Sequence, residues 1–285
     1  MFNEPAATLS DASPLPGCHA LTAEQRAEFE RNGFFIIPSA LTPEEVNHYL
    51  AVADEADQTI REHVKGTRQP GEALELRNAV GFSPSIIDLM THHSAFPHLL
   101  DLMGPAIGLT TSHLFIRPPS PAGTVRSFKQ IDWHRDGPNP RPRPVHGMEP
   151  WLYTKIGYFL TDTTIPDAGA LRVVPGSHRY GGPPPKLTRD DPHGAIEVKL
   201  KPGDAVVFEN RVLHAVGPNY SDIARKNIYF GYCWRYLRPI DFITQPESVL
   251  AGADRFQRQL LGEASQALDF YLPGKNGLPL EDWPG

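Results

Sequence analysis

At 285 residues the chain is long for one domain, although all-β sandwiches and barrels of this size often fold undivided. Its 40% hydrophobic and 21% charged residues describe an ordinary globular chain with a sizeable core. A formal charge of −6 argues against a nucleic-acid binder, and two distant cysteines, Cys18 and Cys233, argue against a disulfide framework or thiolate zinc site.

Residues 1–20 read as a flexible tail, without the basic start or apolar run of a secretory signal. Thr22-Ala-Glu-Gln25 is a capping-box pattern that predicts a helix to about Arg31, stopped by Gly33. Phe34-Phe-Ile-Ile37 follows as a short buried strand. Thr42-Pro43-Glu44-Glu45 then starts a second helix, expected to reach about Val64, with shorter helical pieces over 86–91 and 95–103. After Gly104 the texture changes. Eight short apolar or alternating runs appear at 109–116, 125–136, 152–160, 170–174, 196–200, 205–208, 212–216 and 227–236. Such runs, with no alternating helix–strand rhythm, predict a sandwich, barrel or jelly roll. A last helix is expected over 254–264. Thirty prolines, roughly double the average share of about 5%, cluster in two loops near 137–150 and 181–194 that read as lids. No segment approaches the roughly 20 apolar residues of a membrane span. The expectation is therefore one domain over 21–285, cytoplasmic, acting on a small molecule, with no nucleic-acid or membrane partner. Oligomeric state is left open.

Chemistry concentrates in Val125-Arg-Ser-Phe-Lys-Gln-Ile-Asp-Trp-His-Arg-Asp136. Alternation on a strand puts Gln130, Asp132, His134 and Asp136 on one face and the apolar Ile131 and Trp133 on the other. A His and an Asp two apart can reach one ion from the same side. His214, alternating with Val212 and Val216, can complete the set as the facial triad used by non-haem Fe(II) oxygenases. The protein-kinase loop also begins His-Arg-Asp, but Arg141 stands where it needs Asn, and no Gly-rich loop or Asp-Phe-Gly occurs. Beyond His214, Arg225 offers a planar fork that matches a carboxylate. Lys226 is its rival on the opposite face, and spacing alone does not choose between them.

His134-Arg-Asp136, Ala170-Leu-Arg-Val-Val-Pro-Gly-Ser-His178, His214 and Arg225 together resemble the phytanoyl-CoA dioxygenase family. So does the opening Phe29-Glu-Arg-Asn-Gly-Phe-Phe-Ile-Ile37 followed by Leu41-Thr-Pro-Glu-Glu45. The likeness is spread over roughly residues 25–237. It implies a mainly β fold, a double-stranded β-helix (jelly roll) with N-terminal helices packed on one side. It implies Fe(II), with 2-oxoglutarate and O2 as co-substrates. It places iron on His134, Asp136 and His214, and the 2-oxoglutarate carboxylate on Arg225. Trp151 would be an aromatic beside the co-substrate, and Gln130, on the predicted metal face, is read as a second contact to co-substrate or substrate. The family's halogenating relatives lack the carboxylate ligand, so Asp136 favours oxygenation, and His178 is read as part of a structural turn.

For substrate, Asp132, Glu149, Asp162, Asp167 and Glu209 suggest an acidic, cation-tolerant mouth, with Asp132 and Glu149 as contacts. Arg141, Arg143 and Lys186 in the lids would instead suit an acyl-CoA. The whole resembles tailoring oxygenases of antibiotic pathways, aminoglycoside oxygenases among them, in which oxidation of an amine-bearing carbon gives a ketone and ammonia. The rivals from other classes are a zinc hydrolase and a non-catalytic jelly-roll binding module.

Overall fold

A computed structural model describes residues 20–63, 72–125, 127, 131–137, 149–180, 191–263 and 278–284. The predicted tail, most of both proline-rich loops, and Gln130 lie outside these residues. Helix α1 (Ala23–Asn32) starts where Thr22 accepts a hydrogen bond from the Gln25 amide and the Gln25 side chain accepts one from the Thr22 amide. Gly33 ends it at φ 82°. A Cβ there would lie 2.5 Å from Val212 and 2.6 Å from the His178 ring, so both backbone and neighbours demand glycine. Strand β1 (Phe34–Ile37) and helix α2 (Pro43–His63) follow, the latter opened by reciprocal Thr42–Glu45 hydrogen bonds. Next come β2 (Leu74–Arg77), α3 (Pro84–Met90), α4 (Phe96–Met103) and β3 (Ile107–Arg117).

The remaining strands are β4 (Tyr153–Phe159), β5 (Leu171–Val173), β6 (Ile196–Val198), β7 (Ala205–Glu209), β8 (His214–Val216) and β9 (Arg225–Trp234). Short helices α5 (Glu247–Leu250) and α6 (Arg255–Leu260) follow, Asp254 and Gln257 forming a capping box, and a 3-10 turn over Pro279–Asp282 ends the described residues. Six strands make one antiparallel sheet in the order β1-β7-β4-β9-β3-β2, and β6-β5-β8 make a smaller one. Neither sheet closes on itself. This is the mainly β, two-sheet jelly roll with helices on one side.

Alternation divides the large sheet into two working faces. Ile156, Tyr158, Ile228, Phe230 and Tyr232 join the core formed with the helices. Phe159, Val206, Phe208 and Tyr229 point the other way and meet Leu171, Val173 and Val212 of the smaller-sheet side. Polar side chains on that inner face therefore end between the sheets. Among the described residues no helix is long and apolar enough to cross a membrane.

Over its described residues 131–136 the stretch 125–136 departs from its predicted strand. The Trp133 amide donates to the Ile131 carbonyl, a tight turn that breaks a ladder, and only an isolated bridge joins His134 to His214. The side-chain alternation survives: Ile131 and Trp133 are buried with Leu213 and Ala215, while His134 turns the other way. Strand β2 and helix α5 were not anticipated. In β2 the charged Glu75 and Arg77 on an edge strand mask the apolar alternation.

Candidate active site

The His134–His214 bridge lays the two imidazoles side by side, ring centroids 4.3 Å apart. Each ring is oriented by its own backbone. Nδ1–H of His134 donates to the Asp132 carbonyl and Nδ1–H of His214 to the Val212 carbonyl, both at 2.8 Å. A carbonyl only accepts, so both Nε2 atoms are left with a lone pair for a metal. Those atoms lie 3.8 and 3.7 Å from the carboxylate of Asp136, and the three ligand atoms all fall within 4.8 Å of one another. Two imidazoles and one carboxylate grouped on one side suit a divalent iron with open positions opposite.

Burial alone would raise the pKa of Asp136, but Lys155, His214 and His134 hold it well below the usual carboxylate range. Lys155 Nζ is 2.6 Å from Asp136 Oδ2, and both side chains are about nine-tenths buried. Burial pushes His214 down to about 4, so it is neutral and ready to ligate at ordinary pH. Arg135, between the two ligands, turns away from them. Its guanidinium donates to the carbonyls of Arg211, Ser177 and Tyr180, tying the ligand turn to the Pro-Gly-Ser-His turn. Ser177 accepts from the Leu213 amide and His178 hydrogen-bonds the Glu30 carbonyl. His178 therefore ties the Pro-Gly-Ser-His turn to α1 and is not part of the ligand cluster.

The triad opens into a cavity of about 600 Å³. Arg225, buried, points in from β9, donating to the Gly169 carbonyl at 2.7 Å, while its Nε is buried without an acceptor. Burial pushes its guanidinium down to about 10. Lys226 takes the opposite face and pairs with Asp54 of α2, so the strand's parity resolves the choice that spacing left open. The orphaned donor of Arg225 fits a carboxylate arriving from outside. Tyr229 stands beside it over Gly157, where a Cβ would lie 2.1 Å from the ring. Farther out, Glu75, Arg77, His113 and Arg117 line the wall, and Asp241 fixes His113 at 2.9 Å.

Asp132 lines this cavity and its side chain is exposed. Trp151 does not reach it. Preceding β4, its ring lies on the helix side, donating to Thr154 and packed against Phe29 and Trp234, so the expectation of an aromatic beside the co-substrate is corrected there. Glu149 does not line the cavity either; its carbonyl accepts from Arg211. The expected acidic mouth also does not assemble. Glu209 is buried in an ion pair with Arg211, Asp162 caps the Thr164 amide, and the Asp167 carbonyl accepts from the Tyr220 amide. Arg141, Arg143 and Lys186 fall outside the described residues. The sequence reading missed Lys155, Tyr229 and Arg117. Lys155 had one visible signal, a lone charge in the otherwise uncharged strand Tyr153-Thr-Lys-Ile-Gly-Tyr-Phe159.

The profile of the phytanoyl-CoA dioxygenase (PhyH) family matches residues 29–227. An ectoine dioxygenase from Nocardia farcinica (strain IFM 10152) is 22% identical over 236 residues, which cover 73% of this chain and 76% of that one. Among solved structures, EctD from S. alaskensis with bound Fe superposes with a TM-score of 0.61 at 21% identity, covering 86% of each chain. HygX from Streptomyces hygroscopicus with nickel and 2-oxoglutarate bound gives 0.60 at 18%, covering 75% of this chain and 88% of that one. At these identities the structural likeness concerns the fold.

Proposed function

The chain belongs to the phytanoyl-CoA dioxygenase family, non-haem dioxygenases that use Fe(II) and 2-oxoglutarate, and on that premise we propose that it oxidises a C–H bond of a small polar metabolite in the cavity above. The observation that carries the reading is one cavity holding both a three-ligand cluster and a buried arginine with an unanswered donor.

When bound, iron and 2-oxoglutarate would let O2 act as the oxidant, with 2-oxoglutarate giving up two electrons as it is oxidised, chemistry that no side chain supplies. The protein's share is placement. His134, Asp136 and His214 would hold the ion from one side, Arg225 would hold the far carboxylate, and Lys155 keeps Asp136 ionised. Ile131, Leu171, Phe208 and Val216 supply apolar wall that limits water at the reacting centre.

For the substrate we favour an amine-bearing carbon, oxidised to a ketone with release of ammonia, as in antibiotic tailoring. Asp132 supports this: it is a cavity carboxylate with no cationic partner among the described residues. HygX, which shares the fold, has been solved with hygromycin B bound, so the architecture admits a natural product of that size.

The test is succinate formation with Fe(II), 2-oxoglutarate and O2 across aminoglycosides, amino acids and acyl-CoAs. Stimulation by amine-bearing ring compounds with matching ammonia supports the reading. Stimulation by acyl-CoAs alone would overturn the substrate class. Absence of any 2-oxoglutarate binding would overturn the oxygenase reading and return the zinc hydrolase.

A further inference from the structure

His113 of β3 stands directly opposite Arg77 of β2 on one side and Tyr229 of β9 on the other. Opposed residues on neighbouring strands project to the same side of a sheet, and here that side is the cavity, whose wall all three line. The imidazole is fixed from behind. Its Nε2 lies 2.9 Å from a carboxylate oxygen of Asp241, and both side chains are almost fully buried. Burial alone would raise the pKa of Asp241, but the His113 ring and the amides of Ser112 and Asn78 hold it below the usual carboxylate range. An ionised carboxylate only accepts, so in the neutral ring Nε2 carries the proton and Nδ1 the lone pair.

That lone pair is open. Nδ1 of His113 bonds to no described residue, yet unlike Nδ1 of His98 and of His178 it is not sealed from its surroundings. Nor does the Asp241 loop need the ring. The amides of Ile240 and Asp241 already donate to the Thr110 carbonyl, and Asp241 accepts from the Ser112 amide, so backbone groups pin the loop to β3. The loop holds the imidazole, which orients it for a partner in front. Asp241 and Glu75 share the one guanidinium of Arg77, so with the ring neutral these four side chains keep one negative charge in excess.

The pair is also far from the metal ligands. Lys155, which holds Asp136, faces Gly231 of β9, two residues from Tyr229, and β4 lies two strands from β3. At about 3.4 Å per residue and about 4.8 Å between strands, His113 is roughly 12 Å from Lys155 along the sheet.

We propose that the His113–Asp241 pair anchors the substrate, Nδ1 of His113 accepting a hydrogen bond from an ammonium group remote from the C–H that is oxidised. This rests on the amine-bearing substrate given under the proposed function. A grip at the far end sets which carbon faces the metal ligands, so the pair governs affinity and the position of attack.

The experiment titrates 2-deoxystreptamine, an aminocyclitol, and myo-inositol, a ring carrying hydroxyls only, into protein loaded with Ni(II) and 2-oxoglutarate, with Kd read by calorimetry. Two variants separate the two nitrogens. In His113→Gln the side-chain amide reaches the Nε2 position and still donates to Asp241, but nothing replaces Nδ1. In His113→Asn an amide oxygen stands near the Nδ1 position and the bond to Asp241 is lost. Wild type should bind 2-deoxystreptamine more tightly than myo-inositol. His113→Gln should weaken the amine about tenfold, the scale of a hydrogen bond to a charged group, at an unchanged melting temperature and with myo-inositol hardly affected. His113→Asn should keep more of the amine's affinity while melting lower. If His113→Gln binds the amine as wild type does and only His113→Asn is impaired, the pair is a structural brace, and this inference fails while the amine reading stands. If wild type does not prefer the amine, that reading fails and this inference with it. Equal weakening of both rings by His113→Gln would also overturn the inference, because myo-inositol has no ammonium to lose.

Discussion

The ammonium of Lys155 lies 2.6 Å from Oδ2 of Asp136, a buried ion pair set against the two candidate iron-binding histidines. Removing one partner of a buried pair strands the other charge, at about 3–5 kcal/mol. Lys155→Met should therefore lower the melting temperature of the metal-free protein. A divalent ion would then take over as the partner of Asp136. Added Ni(II) should accordingly raise the melting temperature of Lys155→Met by more than it raises that of wild type. Equal gains would show that Lys155 does not balance the site's charge.

The triad predicts three variants with one phenotype and different stabilities. His134→Ala, Asp136→Ala and His214→Ala should each reduce 2-oxoglutarate turnover to the metal-free background in protein that retains its circular dichroism. Asp136→Ala should be the least stable of the three, because it strands Lys155. Full turnover in any one variant would place the metal elsewhere.

Asp132 offers a carboxylate to the cavity from an exposed position, so its contribution to binding is modest. Asp132→Asn should raise KM for amine-bearing substrates about three- to tenfold, leaving neutral analogues and kcat nearly unchanged. Steady-state kinetics on a matched amine and alcohol pair measures this. Equal effects on both would remove Asp132 from substrate recognition.

His178 gives a pH dependence. Burial pushes its imidazolium down to about 4 from an ordinary 6.5, helped by the nearby Arg211 and Arg179. With Nε2–H donating to the Glu30 carbonyl, the buried Nδ1 has no partner for a second proton. The folded state thus binds fewer protons than the unfolded one between about 4 and 6.5, so stability rises with pH across that window. It is fully present above 6.5 and lost as pH falls toward 4. Denaturant unfolding of the metal-free protein should show this slope, and His178→Gln should flatten it. An unchanged slope in the variant would assign the acid lability to other groups.

What the sequence disclosed follows from how far each cause reaches. The capping patterns at Thr22 and Thr42 are local hydrogen bonds, so their helices begin where the pattern says. His134 and Asp136 are two apart, and His214 sits in an alternating run, so the cluster was legible too. Parity decided the rest. Trp151 went to the helix face because it lies just outside β4, where nearness to the site says nothing about direction. Lys155 is on the inner face of the same strand, meeting a carboxylate from a distant loop. The opposition of His113 and Tyr229 is a property of β3–β9 register, set by pairing across the sheet and a bulge between Leu109 and Thr111. No local window contains it. Residues 131–136 kept their alternation and lost the ladder, because a turn at Asp132 interrupts the backbone without reversing the side chains.

The most direct measurement is calorimetric titration of 2-oxoglutarate into the protein with and without Ni(II), repeated with Arg225→Ala. If the triad and Arg225 build one site, binding should be one-to-one and much tighter with the metal. Arg225→Ala should then lose that binding while taking up Ni(II) as wild type does. Binding that ignores the metal, or survives the loss of Arg225, would contradict a single iron and 2-oxoglutarate centre in this cavity.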